Sequence, residues 1–194
     1  AKDESEAIQI AEQIGYPVAI KIAAEGLLHK SEAGGIRLNL RNAEELRVAY
    51  REMISHITQQ FPEAQIIGVM VEKMAPKGQE VIVGMRRDAT FGPMLMFGMG
   101  GVLVEQIKDI SFKVAPLSGE DIDDMLASTI AGKLLAGYRG AAKGDIAAVK
   151  DVIARLSQLG LDFPEIAEVE INPLIVYPEG QGALALDSRA ILKR

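Results

Sequence analysis

Apolar residues recur at helical spacing in four stretches of the chain, and this spacing predicts four helices. Three of the stretches begin with a polar residue that is followed three positions later by an acidic one, a pattern typical of helix starts. Glycine or proline follows three of them, and both residues end helices. The predicted helices run from Asp3 to Gly15, from Asn42 to Pro62, from Ser118 through Leu126, and from Asp145 to Leu159, where Gly160 ends the last.

Other stretches alternate between apolar and polar residues or form short apolar runs, which predicts strands. Residues 23–35 contain three glycines and predict a loop between the first two strands. Because strands follow one another from residue 66 to 115, the order favours an α+β fold over a doubly wound parallel sheet. The predicted strands are residues 18–22, 36–40, 66–74, 80–86, 94–97, the pair 102–107 and 112–115, and finally 168–174 and 183–187.

The last two predicted strands flank a turn at residues 177–182 and therefore predict a hairpin. Side chains alternate along a strand, which places Glu168, Glu170 and Asn172 on one face. Asp187 ends the returning strand and can lie opposite them. Such oxygen ligands suit Mg²⁺, which takes one or two carboxylates and completes its shell with water and phosphate oxygens. The alternative interpretation is an acidic face exposed to solvent.

Composition and charge exclude several classes of protein. The 194 residues suffice for one large or two small domains, and a net charge of −6 without a basic cluster argues against nucleic-acid binding. The absence of cysteine excludes disulfides and thiolate metal sites and fits a reducing compartment. No apolar run reaches membrane-spanning length, so we expect a cytoplasmic protein without a membrane partner. Because the chain begins at Ala1, without methionine, we also expect a fragment of a longer polypeptide.

Three polar features outside the hairpin each have a functional and a structural interpretation. Lys21 lies in an apolar strand, where its ammonium could bind phosphate or could reach solvent from the edge of a sheet. From the strand pattern alone, we interpret Glu72 and Glu80 as outward-facing strand residues. The run at residues 97–101 could contact phosphate through the N–H groups of its glycines. It matches neither a Walker loop nor the dinucleotide fingerprint, and a tight turn also explains it.

Histidine occurs twice in the chain. His56 lies inside a predicted helix, and we interpret it as structural. His29 lies beside Lys30 in the predicted glycine-flanked loop, and loops often carry functional residues. A neutral imidazole can accept a phosphoryl group at neutral pH. The sequence leaves both interpretations of His29 open, a structural histidine and a phosphoryl acceptor on a poorly packed loop.

Several separate short segments of the sequence resemble segments of the ATP-grasp domain of ADP-forming (NDP-forming) acyl-CoA synthetases, and they occur in the same order as in that family. This domain is related to the succinyl-CoA synthetase β subunit, and the resemblance spans roughly residues 7–192. The domain normally begins one helix and one strand earlier, and the CoA-binding domains with their own phosphohistidine are missing here. The segments include residues 17–21, 29–35, 71–74, 78–84, 104–109, 137–140 and 170–187.

The resemblance implies an ATP-grasp fold with two α+β subdomains, about residues 1–74 and 75–194, and a nucleotide cleft between them. It implies that Lys21 contacts the phosphates of ATP or ADP, and that backbone and apolar groups of a hinge hold the adenine. Glu80 would face the ribose or the metal. The implied nucleotide-binding residues are Lys21, Glu72, Lys73, Met74, Glu80, Gly100 and Gly101.

For the chemistry, the resemblance implies that Asn172 and Asp187 hold Mg²⁺, with Glu170 as a third candidate, and that His29 carries a phosphoryl group. The full enzyme would interconvert acyl-CoA, ADP and phosphate with acid, CoA and ATP, using CoA-binding domains in the same chain or in a partner subunit. The fragment alone should not make acyl-CoA. Two alternatives stay open: a ligand-sensing module of a protein lysine acetyltransferase, and a structural subunit that binds nothing.

Overall fold

The structure is a computed structural model that describes residues 1–27, 33–101, 109–140 and 142–193. The chain forms two compact units, Ala1–Ala75 and Pro76–Arg194, and each unit has its own sheet. Helices together with antiparallel strands confirm the predicted α+β class. The helices are α1 (Glu4–Ile14), α2 (Ala43–Gln60), α3 (Gly119–Ala127), α4 (Ile130–Leu135) and α5 (Ile146–Asp162). The strands are β1 (Val18–Glu25), β2 (Ile36–Leu40), β3 (Gln65–Lys73), β4 (Gln79–Asp88), β5 (Gly92–Met99), β6 (Ile110–Val114), β7 (Ile166–Val176), β8 (Ala183–Ala185) and β9 (Ser188–Leu192).

In the first unit, α1 and α2 pack with a three-stranded antiparallel sheet of order β2-β1-β3. Alternate residues of the central strand β1 are fully buried in the core shared with the helices, as the period of a strand requires. The apolar stripe of α2 is buried at the predicted helical spacing. The residues that carry these two patterns are Val18, Ile20 and Ile22 on β1 and Leu46, Ala49, Met53 and Ile57 on α2.

Capping explains where the two helices of the first unit begin. The Asp3 side chain accepts a hydrogen bond from the Glu6 N–H at 2.8 Å, and the Asn42 side chain accepts one from the Glu45 N–H at 2.9 Å. These bonds satisfy N–H groups that have no partner within the first turn of a helix. Gly15 follows α1 with φ of +86°, a conformation that glycine adopts without strain. The predicted starts of both helices are confirmed.

Two predictions for the first unit are wrong. The loop does not begin at residue 23, because β1 continues to Glu25 and pairs with β3 through Ala23 and Ala24. Leu38, predicted to alternate with polar residues on a half-buried strand, is 61% exposed. The pairing of β1 with β2 has an irregular register at this point, and Asn39 has φ of +60°. Such a bulge breaks the period of two and turns the Leu38 side chain away from the core.

The second unit is built on a six-stranded antiparallel sheet. Its order is β6-β5-β4-β7-β8, and β9 pairs with β7 as well. The helices α3, α4 and α5 cover one face of this sheet and share a core with its alternate residues. A capping box at Ser118 and Asp121 starts α3 as the sequence predicts. The residues of β4 and β5 in this core are Val81, Val83, Met85, Leu95 and Phe97.

Three predictions for the second unit need comment. Gly160 does not end the last helix, which continues to Asp162. A methyl group at Gly160 would lie 2.8 Å from Pro93 Cβ, so close packing against β5 explains the glycine. The short helix α4 is not predicted. The predicted strand at residues 102–107 lies outside the described residues, and among the described strands β6 pairs with β5. In the part of the chain that the structure describes, no helix is long and apolar enough to cross a membrane.

Candidate functional site

Three sequence-predicted site residues of the second unit meet where β5 leads into the glycine run. The Gly100 N–H donates to the Glu80 carbonyl at 3.1 Å, and the Gly101 N–H donates to Asn172 Oδ1 at 3.1 Å. The Glu80 carboxylate lies against the α-carbon of Gly101. The contact with Asn172 joins residues that are 71 positions apart in the chain. The fold therefore brings Glu80, Gly101 and Asn172 together on one side of the glycine run.

Both glycines are required by geometry. A Cβ atom at Gly100 would lie 2.5–2.7 Å from backbone atoms of Val81, which is closer than real Cβ atoms approach. Gly101 has φ of +79°, a conformation that is costly for any residue with a side chain, and a Cβ there would overlap the Glu80 carboxylate. The N–H groups of both glycines are engaged within the protein. Phosphate binding by these N–H groups stays a prediction; in the structure they donate to the Glu80 carbonyl and to Asn172 Oδ1.

The hairpin brings Asp187 beside Asn172, but not in the predicted way. The Asn172 N–H donates to the Asp187 carbonyl at 3.0 Å, and the Leu186 N–H donates to the Pro173 carbonyl at 3.1 Å. The returning chain is split into two strands, β8 and β9, and Asp187 lies at the break rather than at the end of one strand. A register shift in β7 next to Asn172 accompanies this break. Asp187 is exposed to solvent at this position.

The acidic residues that precede Asn172 on β7 have different neighbours. Glu168 forms an ion pair with Arg189 of β9 at 2.6 Å, so its charge is compensated within the protein. Glu170 lies opposite Gly84 on one side and Arg189 on the other. Among the residues that the structure describes, no group of three or more His, Asp or Glu side chains could hold a metal ion. Any metal here must take part of its shell from water or a ligand.

In the first unit, Lys21 and Glu72 form an ion pair. Lys21 Nζ lies 2.7 Å from Glu72 Oε2, and the side chains are 22% and 35% exposed. Lys21 has Ile36 of β2 on one side and Met70 of β3 on the other, so it lies on the central strand. The explanation of Lys21 as an edge-strand lysine is therefore wrong. Glu72 is also more than an outward-facing strand residue, because its carboxylate fixes the Lys21 ammonium.

The predicted hinge residues continue from Glu72. Lys73 is the last residue of β3 and pairs with Val18, and its side chain is exposed. The Met74 N–H donates to the Pro17 carbonyl at 3.1 Å, and its sulfur accepts a hydrogen bond from the Asn39 N–H at 3.4 Å. Met74, which follows β3, is thus held by contacts with the residue before β1 and with β2. Nucleotide binding by these residues stays a prediction.

His29 lies outside the described residues, and its role stays a prediction from the sequence. The described residue Gly34, near the end of the same predicted loop, is fixed by its neighbours. Its carbonyl accepts a hydrogen bond from the Arg37 guanidinium at 2.7 Å. A Cβ at Gly34 would lie 3.2 Å from the His56 ring, so this exposed histidine of α2 packs directly beside it.

Two residues without a role assigned from the sequence make specific contacts. Asp109 accepts hydrogen bonds from the N–H groups of Ile130 at 2.7 Å and Ala131 at 2.8 Å. Arg139 has the left-handed backbone angles φ 54° and ψ 34°, and its guanidinium lies 5.3 Å from the centre of the Tyr138 ring. The only sequence signal for Asp109 is its carboxylate just before a strand. Its partners are more than twenty residues away, so local pattern could not identify them.

Comparison with known proteins gives a consistent result. The family model described as an ATP-grasp domain matches residues 1–192. The β subunit of acetate–CoA ligase (ADP-forming) I from Pyrococcus furiosus is 44% identical over 99% of this chain and 82% of its own length. Longer relatives also match, and this chain spans between 26% and 28% of their length.

Two solved structures of a Ca. Korarchaeum cryptofilum "dinucleotide forming" acetyl-coenzyme A synthetase 1 share the fold. One, in complex with coenzyme A, Ca-AMPCP and HgCl⁺, has a TM-score of 0.91 and 46% identity over 100% of this chain and 83% of its own. The other contains coenzyme A and Mg-AMPPCP, with a "phosphohistidine segment pointing towards nucleotide binding site". It has a TM-score of 0.82 and 43% identity over 98% of this chain and 83% of its own. The chain therefore belongs to the ATP-grasp domain family, in the group of the β subunits of ADP-forming acetate–CoA ligases.

Proposed function

We propose that this chain binds ADP or ATP together with Mg²⁺ as the nucleotide-binding part of an ADP-forming acyl-CoA synthetase. The observation that carries the proposal is the hydrogen bond from the Gly101 N–H to Asn172 Oδ1, with the Glu80 carboxylate beside it. This bond fixes the amide of a predicted metal ligand next to a carboxylate. The similar structures that contain Ca-AMPCP and Mg-AMPPCP support the choice of ligand.

The donor set fits magnesium. Asn172 offers an amide oxygen whose orientation is fixed, and Asp187 offers an exposed carboxylate tied to Asn172 through the backbone. Glu80 adds a second carboxylate near the glycine run, and Glu170 is the other candidate. Mg²⁺ binds through one or two carboxylates plus phosphates and water, so a complete cage of protein ligands is not needed. When bound, the ion neutralises charge on the phosphate oxygens during transfer.

Lys21 has the properties of a phosphate-binding residue in the first unit. Its ammonium is a compact charge on the central strand, and it forms an ion pair with Glu72. The side chain remains 22% exposed, which leaves the ammonium accessible to a ligand. We assign Lys21 to the nucleotide phosphates, with Glu72 as its orienting partner. The residues that follow Glu72 on the chain, Lys73 and Met74, are assigned to the adenine.

His29 would transfer the phosphoryl group. In the ATP-forming direction, an oxygen of the terminal phosphate of ADP attacks phosphorus, and the bond between phosphorus and the His29 imidazole nitrogen breaks. The imidazole leaves with the electron pair of that bond and is neutral because its other ring nitrogen keeps a proton; a ring without that proton takes one up from solvent. Such a transfer is accelerated mainly by positioning and charge neutralisation, which Lys21 and the metal site supply. CoA-binding domains, in this chain or in a partner subunit, would generate the phosphohistidine from acyl-CoA and phosphate.

Calorimetric titration of the full-length protein with ADP, at a series of Mg²⁺ concentrations, tests the proposal. ADP affinity should rise with the Mg²⁺ concentration. In Asp187→Ala most of the ADP affinity should be lost, and the remaining affinity should no longer depend on Mg²⁺. Glu179→Ala is the matched control, because it removes another exposed carboxylate from the turn of the same hairpin. If Asp187→Ala binds ADP with the same Mg²⁺ dependence as the unmodified protein, the metal assignment is wrong.

A further inference from the structure

Asp109 connects the start of a helix to the strand that leads into the glycine run. Its two carboxylate oxygens accept hydrogen bonds from the N–H groups of Ile130 and Ala131, the first two residues of α4. Its own carbonyl accepts a hydrogen bond from the Met99 N–H, the last residue of β5, at 3.2 Å. Asp109 therefore links the start of α4 to the end of β5, two elements that also share a core.

The contact between Asp109 and β5 is close. A Cβ atom at Gly98 would overlap the Asp109 carbonyl oxygen, so the two backbones approach as nearly as sterics allow. The N–H groups at the start of a helix have no partner inside the helix and carry partial positive charge. A carboxylate that accepts two of them is held firmly, because these hydrogen bonds are charge-assisted. Asp109 thus transmits the fixed position of α4 to Gly98 and Met99.

The glycine run follows directly from Met99. The hydrogen bond from the Gly100 N–H to the Glu80 carbonyl holds Gly100 against β4. Gly101 then donates to Asn172 Oδ1 and lies against the Glu80 carboxylate. If the Met99 backbone is displaced, only Gly100 separates it from Gly101. Gly100 packs too closely against β4 to compensate for the displacement. The Gly101 N–H would shift, and the Asn172 amide that accepts from it would lose its fixed orientation.

We infer that Asp109 is a positioning residue for the metal site, acting through Met99 and Gly101 on the amide of Asn172. This inference rests on the proposed function and deepens it. Asp109 touches neither Asn172 nor Glu80 among the contacts of the described residues, and it acts on the backbone donor that orients Asn172. Outer-shell partners of metal ligands typically change metal affinity by about 10- to 100-fold when they are removed.

The test compares two variants of Asp109 with a control on the same helix, each in the full-length protein. Asp109→Asn keeps the shape but replaces one acceptor with an NH₂ group that faces a backbone N–H, and Asp109→Ala removes both acceptors. Thr129→Val is the control. The Thr129 hydroxyl accepts from the Gly132 N–H at 3.1 Å and donates to the Leu126 carbonyl at 3.0 Å, so its loss weakens the start of α4 without touching Met99.

The measured quantity is the Mg²⁺ concentration at half-maximal ADP binding, together with the unfolding temperature. Both Asp109 variants should raise the Mg²⁺ midpoint by about tenfold or more. Thr129→Val should leave that midpoint within about twofold while lowering the unfolding temperature. A merely structural role of Asp109 would give the same midpoint in all folded proteins. If Asp109→Ala does not fold, the isosteric Asp109→Asn decides the result.

The outcomes separate this inference from the proposed function. An unmodified protein that binds ADP without need for Mg²⁺, or not at all, overturns both. An unmodified protein with Mg²⁺-dependent binding, and Asp109 variants with unchanged midpoints, overturns the inference alone. A midpoint that rises equally in Thr129→Val also contradicts it, because the effect would then come from the helix and not from the contact with Met99.

Discussion

Lys21 and Asn172 are both assigned to the nucleotide or its metal, but the protein holds them in different ways. Lys21 is held by one side chain, the Glu72 carboxylate at 2.7 Å, in a partly exposed ion pair. Asn172 is held by backbone groups, the Gly101 N–H on its side chain and the Asp187 carbonyl on its own N–H. A partly exposed ion pair is weakened by salt and tolerates movement. An added Cβ at Gly100 would meet the backbone of Val81, which cannot give way. At Gly101 it would meet the end of the Glu80 side chain and strain the left-handed backbone.

Of the substitutions that test this difference, the one that adds a methyl group at Gly101 should lower the affinity for ADP most. Gly101→Ala places a Cβ on the Glu80 carboxylate and should weaken Mg²⁺-dependent ADP binding by about tenfold or more, since that carboxylate must move away from its place beside Asn172. Gly92→Ala is the matched control. Gly92 has φ of +80°, nearly that of Gly101, but no atom lies within 4 Å of its added Cβ.

Both glycine variants should lose about 1–2 kcal/mol of unfolding free energy, because a side chain strains the left-handed conformation. Thermal or denaturant unfolding measures this cost. Only Gly101→Ala should also change ADP binding, as measured by calorimetry. Equal ADP affinity in the two variants would show that the contact with Glu80 and Asn172 does not matter for the ligand.

A smaller effect is expected in the first unit. Lys21→Met removes the ammonium and should weaken ADP binding by about tenfold, close to the value of one charge-assisted hydrogen bond. Lys113→Met is the control, because Lys113 is also a strand lysine in an ion pair, with Asp121 and Asp124 at 3.3 Å. Titrations at rising KCl concentration sharpen the comparison. The salt dependence of ADP binding should fall in Lys21→Met and persist in Lys113→Met.

The smallest effect on ADP affinity is expected at Asp145, which holds the turn of the hairpin. Asp145 accepts hydrogen bonds from the N–H groups of Gly182 at 2.8 Å and Ala148 at 3.1 Å. These bonds, with that from Gly182 the larger cause, lower the pKa of the Asp145 carboxyl below its usual value. A lowered pKa in the folded state stabilises the protein above the unfolded-state pKa of about 3.9, and this stabilisation is lost as pH falls through the folded value.

Asp145→Asn should therefore lower the unfolding temperature at pH 7 and make less difference as the pH falls below about 4. Scanning calorimetry between pH 7 and pH 3 measures both trends. ADP affinity should change little, because the hydrogen bonds of Asp145 reach the turn and not Asn172. A difference from the unmodified protein that is constant with pH would contradict the assigned cause of the pKa shift.

Local sequence patterns predicted most helices and strands, because capping and periodicity are local properties. Asp3, Asn42 and Ser118 cap helices where predicted. The failures have non-local causes. Leu38 is exposed because of an irregular pairing with β1, and Gly160 lies inside a helix because Pro93 packs against it. Neither partner can be identified from the residues next to these positions.

For the candidate site, the sequence proposed residues but did not predict how the protein holds them. Resemblance to the ATP-grasp family selected Glu80, Gly101 and Asn172, and the structure brings these three together. The hydrogen-bond partners of the glycine N–H groups lie on β4 and β7, and the sequence of the glycine run alone does not identify them. No role can be predicted for Asp109 from the sequence for the same reason. Its partners belong to a helix that was not predicted.

The most direct test of the central claim is a crystal structure of the full-length protein with ADP and Mn²⁺ in place of Mg²⁺, using the anomalous signal of manganese to locate the ion. We predict a single strong peak within coordination distance of Asn172 Oδ1 and the Asp187 carboxylate, with the ion in contact with the phosphates of ADP. The Gly101 N–H should still donate to the Asn172 amide. A peak bound to ADP but away from both Asn172 and Asp187 would contradict the account.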